Sequence, residues 1–529
     1  MRAIYSSMVQ HKMVVAMTKK TPIDFVSNSM VLVCLLLGAC TAAGPDYVRP
    51  AVELPQAWPG SSATGGVAVD SHASATDTSP WWKIYADPTL DTLIEEAFTN
   101  NTDIALAAAR MAEVEAQTGL VSSQQMPSLL VQAGSNRSSL SQSTAKFQPI
   151  IPITSTNNRV ALVASFELDF WGRYRRSSEA ARATLLATEA ARDTVQVALA
   201  VQITQAYFNL LALDAHVETA QRSIARSRES MSLQQLRYKA GVISEFELRQ
   251  REAELEAFVA QLPPLQRRLS AAETALAVML GRSPREVMQP KIPRGNKLAS
   301  VSVSVGEKTD AATAMSSAMP SAILDTLSKP LNLPAGLPSD LLLSRPDLRE
   351  AEQRLIATNA LIGAARAAYF PQITLTGSLG NESASLADLF GGPARIWQFA
   401  GTATQALWGG GRLTYQTKAA EARNQQALAQ YRQAIANAFR EVQDAIVAQT
   451  RLREVYEAET RRVHALKRGF ELATLRYRNG VSSQLEVIDQ ERNLLATEQN
   501  RIAAERDLRN AIANFYRALG AGASVAKSS

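Results

Sequence analysis

The stretch LRYKAGV at residues 236–242 returns as LRYRNGV at residues 475–481, an offset of 239 in a chain of 529 residues. Near the start of each half the offset is 244, as between Pro127 and Pro371. Self-similarity at a fixed spacing is the signature of a repeated structural unit. The sequence therefore predicts two copies of one unit, an internal two-fold structural repeat that determines the architecture.

Long helices are predicted in both copies. Residues 173–240 contain neither Gly nor Pro, and residues 412–468 repeat this composition. Ala, Leu, Arg, Glu and Gln dominate, and all favour helix. Helical composition resumes after Gly241 and Gly480, which suit a helix C-terminus that needs a positive φ. Each half is thus a long outgoing helix, a tight turn and a return helix, with a kink or break expected at Pro263–Pro264.

Short segments between the helices alternate between apolar and polar residues. This period of two predicts two strands in each half, at about residues 128–140 and 158–171 and at about 372–380 and 396–408. Roughly ten residues is the length of a tilted transmembrane β-strand. The positions expected to face lipid are Val160, Leu162, Phe166, Leu168, Ile373 and Leu375. A soluble hairpin packed on the helices is the alternative interpretation.

Four strands cannot close a barrel within one chain. Unpaired N–H and C=O groups at a sheet edge each cost several kcal/mol in lipid, so an open edge is not tolerated there. Strands from several chains must complete the barrel. Two chains would supply eight strands around a core of side chains, and three would supply twelve with room for a lumen.

The N-terminal residues are predicted to form an export signal. Residues 1–39 are predicted to be a signal peptide, with a basic region before an apolar run of about ten residues, too short to span a bilayer as a helix. The run ends in Leu37-Gly38-Ala39-Cys40, which resembles a bacterial lipobox, so Cys40 is expected to be the lipidated mature N-terminus. An ordinary signal peptide with a chance Cys is the alternative. Residues 40–80 are interpreted as the lipid anchor and an extended segment.

The charge and the motifs exclude several functions. The leader carries +3 of the net charge of +6, so the remainder is near neutral and nucleic-acid binding is not indicated. There is no phosphate loop, no zinc-type Cys pair and no Gly-x-Ser-x-Gly elbow. We therefore predict no catalytic residue, no metal site and no cofactor other than the lipid on Cys40. A protein of this kind that moves solutes is passive or is driven by a partner.

These observations divide the chain. The first repeat is predicted at residues 81–290 and the second at 341–520, with an equatorial linker at 291–340 and a C-terminal tail at 521–529. The predicted fold class is mainly α with a small transmembrane β part.

Several motifs resemble one family. They include GPDYVRP at residues 44–50, RPDLR at 345–349, Phe370-Pro371 and the two Tyr-x-x-Gly turns. Together they are similar to outer-membrane factors of the TolC family, in the NodT/OprM-like lipoprotein branch, over nearly all of residues 44–520. The chain departs from the family pattern at residues 291–330, where the family commonly has a shorter Pro-rich link.

The resemblance implies an assembly and a function. The assembly is a homotrimer in the outer membrane of a Gram-negative bacterium, with a twelve-stranded β-barrel on a long α-helical barrel that extends into the periplasm. Its partners are a periplasmic adaptor and an inner-membrane pump, usually of the proton-driven RND type. The expected function is a passive exit duct for drugs and other toxic small molecules. A type I protein-secretion exit duct is one alternative, and a periplasmic structural coiled-coil lipoprotein without a pore is another.

The resemblance also places a periplasmic gate at the helix turns. Glu486 and Asp489, which lie on one helix face, match the paired acidic residues that ring the entrance in this family. Glu247 matches an acidic residue of the neighbouring turn. Ser482 stands where the family has an Arg latch, so the interlock is expected to depend on Tyr477. The predicted gate comprises Gly241 and Gly480 at the tips with Glu247, Tyr477, Glu486 and Asp489.

Overall fold

The computed structural model describes residues 42–53, 55, 80–141, 143, 153–295 and 341–521. The predicted signal peptide, Cys40, most of the inter-repeat linker and all but the first residue of the tail lie outside the described residues. The helices and strands of both repeats lie within them.

The first repeat begins with a 3₁₀ turn at Trp81–Tyr85. Its helices are α1 (Pro88–Asn100), α2 (Thr102–Ser123), α3 (Arg173–Lys239), α4 (Glu245–Met279) and α5 (Pro284–Met288), with strands β1 (Ser128–Ser139) and β2 (Thr154–Leu168) between α2 and α3. The second repeat contains α6 (Leu341–Ser344), α7 (Pro346–Ala367), β3 (Gln372–Ser383), β4 (Arg395–Thr404), α8 (Arg412–Arg478) and α9 (Gln484–Ala518).

The two repeats match in length as well as in order. Helices α3 and α8 are each 67 residues long, and the return helices α4 and α9 are each 35 residues long. Gly241 and Gly480 take φ values of 71° and 72° at the turns, a conformation that costs a residue with a Cβ more than it costs glycine. After each Gly the next N–H bonds back to the long helix, from Val242 to Arg237 and from Val481 to Arg476, both at 2.9 Å. The predicted hairpins therefore form.

Of the two outcomes expected at Pro263–Pro264, the break is wrong, because α4 continues through both prolines, and the kink stays a prediction. Each proline removes one helical hydrogen bond and would normally kink or end the helix. Apolar contacts hold the preceding segment: Phe258 packs with Ile224 of α3 and Leu495 of α9. The segment before the two prolines is therefore packed against both neighbouring helices.

The four strands form one antiparallel sheet in the order β1-β2-β3-β4. Strands β2 and β3, which come from different repeats, pair at its centre, and β1 and β4 are its edges. The bounds of three strands differ from the prediction by three or more residues: β2 occupies residues 154–168 instead of 158–171, β3 ends at Ser383 instead of residue 380, and β4 ends at Thr404 instead of residue 408.

The chain divides into two compact units. One contains the sheet, with the described residues up to Pro45, Ser122–Ser177 and Ala360–Lys418. The other contains the rest of the helices, and its largest core cluster joins Trp82 and Ile94 to Phe208 of α3 and Ile512 of α9. Among the described residues, α3 is the one helix with the length and hydropathy to cross a membrane, but 61% of its most apolar window is buried inside the protein. A buried core helix passes the same test.

Candidate functional site

One face of the sheet is apolar across all four strands. Residues directly opposite each other in antiparallel strands point to the same side. Leu162 lies opposite Val131 of β1 and Leu379 of β3, and Phe166 lies opposite Leu375. All six residues predicted to face lipid therefore share this face: Val160, Leu162, Phe166, Leu168, Ile373 and Leu375. Trp397 and Phe399 of β4 extend it and are exposed.

The opposite face is polar. Arg159 of β2 lies opposite Glu382 of β3, and their side chains form an ion pair at 3.7 Å. Near the end of β2, Glu167 accepts hydrogen bonds from Arg173 and from the hydroxyl of Tyr174, each at 2.8 Å. A sheet with one polar face and one exposed apolar face has the surface required at the boundary between lipid and water.

The predicted acidic pair of the second hairpin lies near the start of α9. Asp489 is exposed and Glu486 is partly exposed, three residues apart on the same helix. Glu486 forms an ion pair with Arg476, whose Nε lies 3.9 Å from Oε1. Both members of this ion pair are well exposed, so it contributes little to stability. Both carboxylates are therefore accessible to solvent, Glu486 in this exposed ion pair and Asp489 at an exposed position.

Glu247 of the first hairpin is placed differently. It is the third residue of α4, and its carboxylate accepts a hydrogen bond from the backbone N–H of Ser244 at 3.0 Å. The hydroxyl of Ser244 in turn accepts from the backbone N–H of Glu247, which completes a capping box. At the corresponding position of α9, Ser483 forms no side-chain cap. The structure thus gives Glu247 a role at the helix end that Glu486 does not share.

Tyr477 joins the two hairpins. Its hydroxyl accepts a hydrogen bond from Arg237 Nη1 at 3.0 Å and donates one to Gln234 Oε1 at 3.2 Å. The Arg237 guanidinium also lies 5.3 Å from the centre of the Tyr477 ring, within the range of a cation–π contact. Sequence reasoning selected Tyr477 but missed both of its partners on α3.

Two ion pairs continue this connection along the return helices. Arg251 Nη1 of α4 lies 2.9 Å from Glu491 Oε2 of α9, and both side chains are only 3% exposed. Glu254 of α4 accepts a hydrogen bond from Arg492 Nε at 2.7 Å. Sequence reasoning missed both pairs, although their separations of 240 and 238 residues lie within one of the repeat offset. Corresponding segments of the two repeats lie side by side, and that offset is the signal that could have found them.

The described histidines give no evidence of a metal site. No cluster of His, Cys, Asp and Glu able to hold a metal ion occurs in the part of the chain that the structure describes. His216 of α3 is partly buried, and this burial, with Arg506 and Arg268 nearby, lowers its pKa to about 4. The imidazole of His216 is therefore neutral and packs against its neighbours, because its burial disfavours the protonated form.

The fold and these surfaces define an outer-membrane channel protein: two long helical hairpins, joined at their turns, and a sheet with an exposed apolar face. A sequence model of outer membrane efflux proteins matches residues 93–282 and 337–521. The chain belongs to the outer membrane efflux protein family.

Individual relatives are similar in sequence to almost the whole of this chain. The solvent efflux pump outer membrane protein SrpC of Pseudomonas putida is 32% identical over 93% of this chain and 97% of its own length. The cation efflux system protein CusC of Escherichia coli K12 is 33% identical over 93% and 98%. A solved structure of the open state of the Neisseria gonorrhoeae MtrE outer membrane channel superposes with a TM-score of 0.74, at 30% identity over 91% of this chain and 98% of that one.

These comparisons confirm the predicted fold class and the outer-membrane location. They also confirm the predicted role as the outer-membrane channel component of an efflux system. The family is a transport family and not an enzyme family.

Proposed function

We propose that this chain forms a lipid-anchored homotrimeric exit duct for toxic small molecules. The observation that carries the proposal is the single four-stranded sheet, which has one exposed apolar face and an edge strand on each side. Three such sheets supply twelve strands, enough to enclose a lumen, and closure leaves no unpaired backbone edge in lipid. The lipobox-like sequence before Cys40 supports the anchor.

We propose that an inner-membrane pump of the RND type drives transport through a periplasmic adaptor, because the sequence lacks the phosphate-loop motif of nucleotide-driven transporters. Relatives named for solvent efflux and for cation efflux are almost equally similar to this chain, at 32% and 33% identity. This similarity to both relatives is expected if the outer-membrane duct is of one kind and the inner-membrane pump selects the transported substrate. The efflux names of these relatives favour small molecules over the type I protein-secretion alternative. The exposed apolar face favours a pore over a periplasmic coiled coil.

We further propose that the hairpin turns form the periplasmic gate. Exposed carboxylates of Glu486 and Asp489, repeated three times around a narrow mouth, would concentrate cations and hold back anions. The contacts of Tyr477 with Gln234 and Arg237 would hold the two hairpins of a subunit together in the closed state.

Single-channel recordings in planar bilayers test this function. Purified protein is expected to conduct and to prefer cations, and replacing the pair by Glu486→Gln with Asp489→Asn should reduce that preference. The matched control is Glu454→Gln, which removes an exposed carboxylate of α8 that lies 24 residues before the end of that helix and should leave selectivity unchanged. Absence of any conductance would favour the coiled-coil alternative, and unchanged selectivity in the double variant would refute the carboxylate ring.

A further inference from the structure

The charged residues of the sheet are divided unequally between its two faces. The polar face carries Glu167, Glu382 and Arg159, and the last two form the ion pair at 3.7 Å. On the apolar face the charged positions are Arg137 of β1 and Arg395 of β4. Within the four strands, all of which the structure describes, this face carries no acidic residue. Its two arginines therefore have no counter-ion on their own surface.

The strand register assigns both arginines to the apolar face. Successive side chains of a strand alternate between faces, so Arg137 shares a face with Val131, which lies opposite Leu162. By the same alternation Arg395 shares a face with Trp397. Both arginines are exposed, and the side chain of neither forms a hydrogen bond or an ion pair with another described residue. Both guanidinium groups are therefore open to a ligand from outside the protein.

Both arginines lie beyond the end of the apolar band. The face becomes polar after Val160 of β2 and Leu379 of β3, where Asn158 and Asn381 take the next positions. From Val160 to Leu168, β2 covers about 27 Å at about 3.4 Å per residue. The apolar band of a membrane β-barrel is about 25 Å tall. Side chains just beyond such a band lie at the level of the lipid head groups.

The arginines lie at the end of the sheet that carries the hairpin loops. Each strand is joined to a helix at its other end: β1 follows α2, β2 precedes α3, β3 follows α7 and β4 precedes α8. Arg137 lies opposite Thr156 near the start of β2, and Arg395 is the first residue of β4. In an outer-membrane channel whose helices extend into the periplasm, the loop end of the sheet faces the outer leaflet.

Arginine at this level suits a phosphate group. The guanidinium group is always charged and donates parallel hydrogen bonds to phosphate oxygens. Its apolar stem packs on apolar surface while the charged end stays among polar groups. On the polar face the protein supplies its own anion, since Glu382 pairs with Arg159. On the apolar face the anion has to come from the membrane.

We propose that Arg137 and Arg395 form a binding surface for the phosphorylated head group of an outer-leaflet lipid. The guanidinium groups donate hydrogen bonds to phosphate oxygens, and the acyl chains of the lipid lie on the apolar face beside Trp397. This surface rests on the proposed function. In the proposed homotrimer the edge strands of neighbouring copies adjoin, so one lipid meets Arg137 of one copy and Arg395 of the next.

Native mass spectrometry of the purified protein, titrated with lipid A that carries two phosphates, measures this binding. Arg137→Gln with Arg395→Gln should weaken binding by about 30-fold and each single variant by about fivefold, the effect expected for basic residues at an anionic surface. The matched control is Arg461→Gln with Arg468→Gln, which removes the same charge from exposed positions of α8 and should bind as the unmodified protein does. The mass also reports whether each variant remains assembled.

The outcomes separate the lipid surface from the duct. Equal binding of lipid A by the sheet double variant and the unmodified protein would overturn the proposal, and so would equal binding of lipid A without phosphates. Displacement of lipid A by millimolar inorganic phosphate would assign the arginines to free phosphate instead of a lipid. A protein that conducts in planar bilayers but does not bind lipid A would leave the proposed function standing. A monomer that neither conducts nor binds would overturn both.

Discussion

Tyr477→Phe isolates the contact that joins the two hairpins. The substitution removes the hydroxyl that bonds to Arg237 and Gln234 and keeps the ring beneath the guanidinium. A hydrogen bond contributes about 1 kcal/mol, and one to a charged group about 1.5–3 kcal/mol. Because Arg237 is partly exposed, we take the lower ends of the ranges, roughly 0.5 kcal/mol for the bond to Gln234 and roughly 1.5 kcal/mol for the bond to Arg237, which give about 2 kcal/mol for each subunit. If the contact breaks when the channel opens, its loss shifts the equilibrium between the closed and open states toward the open state by about 30-fold in each subunit. This follows because 1.4 kcal/mol corresponds to a factor of ten in an equilibrium constant.

Single-channel recording measures this change as a higher open probability or a larger mean conductance. The control is Tyr238→Phe, which alters the corresponding tyrosine of the first hairpin, an exposed side chain. Conductance and open probability that match the unmodified protein would refute the gate role of Tyr477. An equal increase in both variants would show that the effect does not come from the contact with Arg237.

Three further predictions concern the sheet, the core and the anchor. Leu162→Arg on the apolar face should destabilise the inserted protein by about 2–4 kcal/mol, and Val163→Arg on the polar face by much less, as measured by urea unfolding in lipid; equal costs would contradict a lipid face. Because the folded protein holds the pKa of His216 at about 4, the unfolded chain binds the proton first, so stability should fall by up to about 3 kcal/mol as the pH drops from 6.5 to 4. His216→Gln should remove this pH dependence of the free energy of unfolding. His464→Gln, at an exposed position, should leave it unchanged. Cys40→Ser should abolish labelling by radioactive palmitate, and equal labelling of both proteins would exclude Cys40 as the lipid site.

Local patterns were sufficient to predict the elements of this fold. The glycines at 241 and 480 mark the turns because few other residues adopt a positive φ at low cost. The alternation around Leu162 identifies a strand because successive side chains of a strand point to opposite faces. Both signals depend only on residues near in sequence. The fold class could therefore be read from the chain alone.

Long-range contacts explain which features of the structure could not be predicted from the sequence. The helix continues through Pro263–Pro264, where Phe258 of the preceding segment packs on other helices, and no local pattern reports that packing. The partners of Tyr477 lie 240 and 243 residues away. Glu247 was assigned to the gate by position, but its contact with Ser244 shows a second role that the motif S-x-x-E does encode.

The unequal helix caps give the two hairpins different mechanical properties. The first turn of α4 is closed by Ser244 and Glu247, whereas the first turn of α9 begins at Ser483 without a side-chain cap. A missing cap lowers helix stability by roughly 0.5–2 kcal/mol, so the start of α9 unwinds more readily. A ring of identical hairpins could not differ in this way. With two different hairpins in one chain, the first turn is closed by its cap, and the second, whose Glu486 makes an exposed ion pair with Arg476, is the less stable of the two.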